Sequence, residues 1–373
     1  MRPRLVEGLR WIWRGPSTLQ LGVDPARAVV LDGVDPGVAD LLRRCDGSLE
    51  VDDLLAAGAP AGFGRAEVHE VVDLLMRAGL LDDAAADTAR TADTADPGAT
   101  DAAGAGGASG PGRRHAGRIP GVLDPERRAL ALVAPDRAGG RTRLARRAHA
   151  RVEVHGAGRV GTALALMLAA AGVGALRIVD DGAVGPAELA PAGADDECLN
   201  LPRPLAVRDR VERLALDTQV QVARSDDVAP RGWWPDLVVV APDGGRRPGL
   251  LRELAARRVP HLPVETRETS AVVGPLVLPG RTACPRCLDL HRAERDPHWP
   301  AVAAQLDQAD PVGIEVLVAT GAGLLAAAQV LAHLDGLTPD TLDGTVEISL
   351  PTLQWRRRGW SAHPSCPCQR QAG

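Results

Sequence analysis

Residues 152–181 read VEVHGAGRVGTALALMLAAAGVGALRIVDD, and no other stretch limits the fold as strongly. A short β-branched run, Val152 to His155, meets Gly156, Gly158 and Gly161 in GxGxxG spacing. An apolar helix over Arg159 to Ala171 follows, then a second strand over Ala175 to Val179 that ends on Asp180 and Asp181. In this order the glycines let backbone N–H groups approach a phosphate at the helix N-terminus, and a carboxylate closing the second strand can accept from ribose hydroxyls. A tight structural turn would use the same glycines, so the loop gains its meaning from the strand, helix, strand and acid around it.

The rest of the second half keeps this alternation. Apolar runs at Val220 to Ala223, Leu237 to Ala241, His261 to Val264 and Val272 to Leu278 are separated by helical segments such as Leu250 to Arg257, which predicts a mostly parallel, Rossmann-like sheet. Thr345 to Leu350 and Leu353 to Arg357 read as a terminal hairpin. The apolar stretch Val312 to Leu334 is rich in Ala and Gly and holds Glu315, Gln329 and His333, so a buried helix is expected rather than a membrane span.

The first 83 residues form a separate small α+β unit. Thr18 to Val23 and Arg27 to Leu31 flank an Asp24-Pro25 turn as a hairpin. Helices are expected from Pro36, over Val51 to Ala57, and along Val68, Val71, Val72 and Leu75, whose i, i+3, i+4, i+7 spacing makes one apolar face ending at Gly79. A hairpin with three helices suggests a winged-helix-like module. Residues 84–118 collapse to Ala, Gly, Thr, Asp and Pro without periodicity, as in a disordered linker, and the second domain spans 119–373. Asp124 to Val133 can form a helix. The arginines from Arg137 to Arg151 that follow read as a solvated helix face, with a phosphate or acidic-peptide contact as the other option.

Charge and composition narrow the partners. With 43 basic against 48 acidic residues, a net charge of −5, no tyrosine and Phe63 as the single phenylalanine, nucleic-acid binding has neither a general electrostatic pull nor stacking platforms. The N-terminal segment lacks the apolar core and cleavage site of a secretory leader, and six cysteines then suit a reducing cytosol.

The cysteines carry the second strong signal. Cys284-Pro285-Arg286-Cys287 and Cys366-Pro367-Cys368 are close pairs from opposite ends of the second domain. Four thiolates can close a tetrahedral zinc shell, which is structural because it leaves no open position; a redox CxxC would not need the second pair. Cys45 reads as a core residue, and Cys198, in an acidic loop, as a candidate reactive thiol. Asp243, after the strand Leu237 to Ala241, stands where open α/β sheets bind ligands and can hold Mg²⁺, or serve as a turn aspartate between Pro242 and Gly244. His155 and His291 could reach a site but read as structural, since nothing in the spacing pairs either with a carboxylate or a nucleophile.

Taken together, the 152–181 segment and the CPRC and CPC pairs resemble the ThiF/MoeB superfamily, related to the ubiquitin-activating enzymes, over roughly residues 150–368. The resemblance implies Mg-ATP-dependent adenylation of the C-terminal carboxylate of a peptide or small carrier protein, and commonly a homodimer. It assigns Gly156, Gly158 and Gly161 to the glycine loop, Asp180 to the ribose, Asp243 to magnesium, and Arg203 in LPRPLAV to the family's basic residue. Two departures stand out. The family's SNLxRQ segment is here GPAELAPAG, with Glu188 and Pro191 near the places of its asparagine and catalytic arginine, and Gly244 replaces the asparagine after the magnesium acid. Proline cannot stabilise phosphoryl charge, so adenylation is expected to be weakened or lost. The front unit and GPLVLPGRTACPRCLDLHRAERDPHWP further resemble the ThiF-like partners of azole-forming peptide cyclodehydratases. That resemblance implies a precursor-peptide leader added as a strand to the hairpin and presented to a YcaO-type ATPase. A dinucleotide-dependent oxidoreductase accounts for neither the split cysteine pairs nor the absence of a catalytic acid/base set.

Overall fold

The computed structural model describes residues 1–6, 11–21, 29–56, 65–77, 79–84, 121–133, 139–214, 217–267, 269–308 and 313–369. Chain contacts divide it into one unit of residues 1–114 with 121–144 and a second of 115–120 with 145–373. Beyond Ala84, the segment expected to be a disordered linker lies outside the described residues.

The second unit is built on an eight-stranded sheet. Its strands are β6 (Arg151–His155), β7 (Ala175–Val179), β8 (Gln219–Ala223), β9 (Leu237–Val240), β10 (His261–Thr266), β11 (Ser270–Val273), β12 (Gly344–Ser349) and β13 (Gln354–Gly359), in the order β13-β12-β11-β10-β9-β6-β7-β8. From β10 to β8 neighbouring strands run parallel, and β11, β12 and β13 add an antiparallel edge. Central β9 is a wholly buried apolar run, LVVV, as in a sheet covered on both faces, whereas edge strand β8 is only partly buried. The expected strand over Val272 to Leu278 is interrupted. It stops at Val273, because Gly274 turns at φ +100° and a Cβ there would meet Gly344 O at 2.8 Å. Leu276 and Val277 then make isolated bridges to Leu342 and His261.

Two helices pack closely on this sheet, α6 (Arg159–Ala170) and α11 (Val316–Leu334). A Cβ on Gly323 would lie 2.8 Å from Ala163 Cβ, 2.9 Å from Leu164 N and 2.9 Å from Val160 O, so glycine is what lets the two backbones approach. By length and composition α11 could cross a membrane. Here Val318, Ala322, Ala326 and Val330 are buried in the same core as Leu164 and Leu168, as expected for a core helix. The arginine run corrects a sequence reading, because Arg143 and Arg147 are buried rather than on a solvated face. Arg147 Nε and Nη2 donate to Asp335 Oδ1 and Oδ2 at 2.9 and 2.5 Å, a bidentate pair that locks the C-terminal end of α11.

The first unit has helices α1 (Pro36–Arg44), α2 (Val51–Ala56), α3 (Arg65–Arg77) and α4 (Asp124–Val133), a β1 (Pro3–Leu5) to β5 (Leu81–Asp83) pair, and a three-stranded sheet. Asp35 caps α1 by accepting from Val38 N, and Pro36 occupies its first turn. Leu19, Leu21, Leu42, Leu54, Val68, Val72 and Leu75 form the core, so the 3.6-residue spacing read along α3 is its buried face. The hairpin pairs β3 (Leu19–Leu21) with β4 (Val29–Leu31), and its turn lies outside the described residues. A further strand, β2 (Trp11–Trp13), pairs with the other side of β3. β3, the described part of the expected strand Thr18 to Val23, is therefore central, not an open edge; β4 and β2 are the outer strands.

Gly323→Ala is expected to lower the thermal midpoint. Helix propensity alone would favour alanine by about 1 kcal/mol, but forcing the helix backbones apart costs about 1–3 kcal/mol, and Leu164 N and Val160 O are main-chain atoms that cannot swing away. Gly323→Val should destabilise further in the same thermal melt.

Candidate nucleotide and metal sites

Backbone packing makes the glycine loop. Gly156 sits at φ +107°, and a Cβ there would fall 2.0 Å from Ala241 O; a Cβ on Gly161 would fall 1.8 Å from Gly156 O. Side chains at either place would push β6, β9 and α6 apart. A Cβ on Gly158 would strike the Asp243 carboxylate, which therefore lies directly over the loop.

The predicted polar residues meet at the carboxyl ends of the parallel strands. His155, Gly156, Asp180, Arg203 and Asp243 line one cavity of about 310 Å³, together with Arg247. Asp180 accepts from Ala157 N at 2.8 Å and Gly182 N at 2.6 Å, which fixes its carboxylate at the end of β7. Arg203 opens helix α7 (Arg203–Arg213) and is held by three acids: Asp243 at 2.5 Å, Glu188 at 2.6 Å and Asp180 at 3.8 Å. Glu188 is itself oriented by Gly185 N, which donates to its second oxygen at 2.7 Å. Burial pushes the Asp243 carboxyl above the usual range; Asp180 and Glu188 push the same way, and Arg203 opposes them. One guanidinium against three carboxylates leaves this corner anionic. Glu188 had been noted only as a departure from the family pattern, yet it is one of the groups that hold Arg203.

His155 corrects the sequence reading, because it does pair with a carboxylate, Glu153, two residues before it on the same strand. Its Nε2 lies 2.7 Å from Glu153 Oε1, while Arg177 Nη1 and Trp233 Nε1 donate to Oε2 at 3.0 and 3.1 Å. Burial alone would raise the Glu153 carboxyl, but His155 and Arg177 together hold it below its ordinary value.

The four tail and loop cysteines come together as expected. Cys284 and Cys287 sit at the start of helix α9 (Pro285–Arg295), and the chain after β13 brings Cys366 and Cys368 to them. Sulfur separations are 3.8 Å for Cys284–Cys287, 3.7 Å for Cys284–Cys366 and 3.5 Å for Cys287–Cys368. A disulfide would need about 2.05 Å. The edge of a tetrahedron with metal–sulfur bonds of about 2.3 Å is about 3.8 Å, so the thiols fit a metal ion. The hydrogen bond from Cys284 favours the Cys287 thiolate, while burial pushes the Cys368 thiol up. A divalent ion would favour the thiolate at every position. Cys198 is buried against Val184, Ala194 and Ala206, which removes it as an accessible thiol, and burial pushes Cys45 up to about 11. His291 Nε2 is 3.1 Å from Ser361 O, beside the cysteine cluster and not in the cavity.

A Rossmann-type parallel sheet with a glycine loop, a carboxylate at the end of the second strand and two cysteine pairs stapling the tail defines an adenylyltransferase-like architecture. The family model described as ThiF family matches residues 130–368, and the chain belongs to that family. No curated protein sequence matches it significantly. Among solved structures, Escherichia coli MccB with AMPCPP and MccA is similar over 99% of both chains, at TM-score 0.68 and 13% identity. MccB of E. coli with ATP covers 99% of both at 0.66 and 14%. PaaA covers 95% of this chain and 99% of its own at 0.62 and 14%. At these identities the likeness is one of fold, and it runs through both units.

Glu153→Gln should destabilise the protein by about 3–5 kcal/mol at neutral pH, because it leaves the buried Arg177 charge without its partner. The folded carboxyl lies below the unfolded value of about 4.3, so its stabilisation is present above that pH and is lost as pH falls through the folded value. Denaturant midpoints of the two proteins should therefore converge on acidification.

Proposed function

We propose that this chain binds a ribosomally made precursor peptide and activates a peptide carboxylate with Mg-ATP. The observation that carries this reading is the single cavity that unites the glycine loop, Asp180, Arg203 and Asp243. A carboxylate oxygen of the peptide attacks the α-phosphorus; a new P–O bond forms, the bond to the β-phosphate oxygen breaks, and pyrophosphate leaves as the acyl adenylate is made. Magnesium, when bound, neutralises phosphate charge. Here the chain's residues prepare for it: Asp180 is set to accept from the ribose, the N-terminus of α6 offers its free N–H groups, and Asp243 is a ligand for the cation. A cation on Asp243 would take that carboxylate from Arg203 Nη1, which could then turn to a phosphate oxygen while Glu188 still holds Nη2. Similar structures carry ATP, AMPCPP and MccA in the MccB proteins they describe, which supports a peptide and a nucleotide as the paired substrates.

Residues 1–83 are read as the peptide clamp, a winged-helix-like domain joined by 84–118 to a domain of 119–373, although 121–144 group by contacts with the first unit. Strand addition there would use the outer edge of β4 or β2, since β3 is paired on both sides. The four cysteines are assigned to a structural zinc. A reducing cytosol is the compartment proposed for a chain whose cysteines are all free thiols, and a homodimer is proposed from the resemblance to the family.

A second reading has one observation in its favour. Glu188 engages Arg203, and proline stands at 191, where the family's arginine segment is expected. On that reading the nucleotide site is degenerate, and the chain presents its peptide to a YcaO-type cyclodehydratase.

Pyrophosphate exchange with two variants separates these, and a metal assay tests the zinc. Wild type should catalyse ATP–pyrophosphate exchange that depends on magnesium and peptide. Asp243→Asn should reduce exchange by about 100-fold or more, the scale of removing one preorganised charge-stabilising group. Glu188→Gln, which lightens the negative charge around Arg203, should keep or raise it. Peptide binding without any ATP binding would favour the presenter. Metal analysis of freshly reduced protein should find one zinc per chain, lost in Cys366→Ser with Cys368→Ser together with a fall in thermal midpoint.

A further inference from the structure

Beside the nucleotide cavity, and sharing Asp243, Gly244, Gly245 and Arg247 with it, lies a larger cavity of about 500 Å³. Five arginines line it, Arg246, Arg247, Arg267, Arg292 and Arg358, against two acids, Asp243 and Glu265. Their state of pairing decides what the cavity can hold. Arg246 is fully committed: it donates to Asp307 at 2.8 Å, to Asp289 at 3.0 and 3.2 Å, and to Ala303 O at 3.1 Å. The others are not. Arg267 reaches Glu347 and Glu265 only at 3.8 and 4.0 Å. Arg358 lies 5.5 Å over the Trp360 ring, with no carboxylate partner among the described residues. Arg292 is sandwiched 4.8 Å from the Trp299 ring and 5.7 Å from that of Trp360, and its nearest acid is Asp289 at 3.6 Å, which Arg246 already holds.

Burial pushes Arg292 below the ordinary arginine value, with Arg267 and Arg246 adding to that and Glu265 and Asp289 too weak to cancel it. A half-buried guanidinium held against two indoles and short of counter-charge is stabilised by an incoming anion. Leu251, Val264, Leu306 and Trp299 supply apolar wall, which suits an organic anion with a hydrocarbon stem more than a bare phosphate.

We infer that this cavity is a subsite for an acidic residue of the peptide, an aspartate or glutamate next to the carboxylate being activated, read by Arg267, Arg292 and Arg358. This rests on the peptide-activating reading and names its substrate class. The planar guanidinium fork matches a carboxylate bidentately, a geometry that an asparagine or glutamine amide cannot satisfy with the same charge.

The test uses full-length protein and two synthetic peptides, N-terminally rhodamine-labelled GGSGGSDE and GGSGGSNQ, in an anisotropy titration. The acidic peptide should bind about tenfold or more tightly, and Arg267→Gln with Arg358→Gln should abolish the difference. Both side chains lie at the surface, so the double variant should keep its thermal midpoint. Equal affinity of the two peptides for wild type, no binding of either at millimolar concentration, or a preference that survives in the double variant would overturn the subsite. Displacement of the acidic peptide by magnesium-free ATP or inorganic triphosphate, in direct competition, would reassign the cavity to phosphate and overturn it as well. Pyrophosphate exchange is read separately: its absence with the acidic preference intact counts against the activation reading alone, and its presence without the preference counts against the subsite alone.

Discussion

The close approach of three backbones at Gly156 is the constraint on which the second unit depends. A Cβ at this position would lie 2.0 Å from Ala241 O, so β6 and β9 can carry their chains to the same point only because it is absent. Gly161 extends the contact to the first turn of α6, and Gly323 does the same on the helix's far side against α11. The result is a helix pressed between strand ends and a second helix, with its N-terminus fixed at the sheet's carboxyl edge. Asp243 lies over Gly158 because β9 ends there. The nucleotide cavity is thus a consequence of packing before it is a matter of charge.

What could be read from the sequence is what is local. The glycine spacing, the two flanking strands and the acid are contiguous, and they form as expected; so do α3, whose apolar face repeats with helical period, and the cysteine pairs, whose short internal spacing marks them. What could not be read depends on partners far along the chain. Arg147 looks like one more member of a solvated run, and only Asp335, 188 residues away, makes it a buried pair. Val272 to Leu278 does carry a break signal, Gly274-Pro275, hidden among apolar neighbours; the crowding that fixes the break comes from Thr341 and Gly344 in another segment. β2 is three residues long, too short for a period to appear, and its presence is what removes Thr18 to Val23 from the edge.

The arginine cavity shows the same limit more sharply. Its cations come from the loop after β9, the end of β10, helix α9 and strand β13, so no window of sequence contains the cluster. A faint signal was present in Gly244-Gly245-Arg246-Arg247 directly after Asp243, where a glycine pair followed by two arginines at a ligand-binding strand end pointed to more than a turn.

That loop also divides two fields of opposite sign. On one side Asp180, Glu188 and Asp243 surround Arg203 and leave an excess of negative charge. On the other, Arg267, Arg292 and Arg358 leave an excess of positive charge. A cation-bound nucleotide suits the first and a carboxylate the second. In a partly buried setting of low effective dielectric, exchanging them costs several kcal/mol through like-charge contact. Asp243 stands on the boundary, lining both cavities, so a cation bound to it would tie Asp243 into the nucleotide side and leave the arginine side more positive. Binding of a cation in the first cavity therefore strengthens the second cavity's attraction for an anion, and by linkage an anion in the second favours the cation in the first. The order of charges along five residues, from Asp243 to Arg247, would couple a cation in the one cavity to an anion in the other without any movement of the fold.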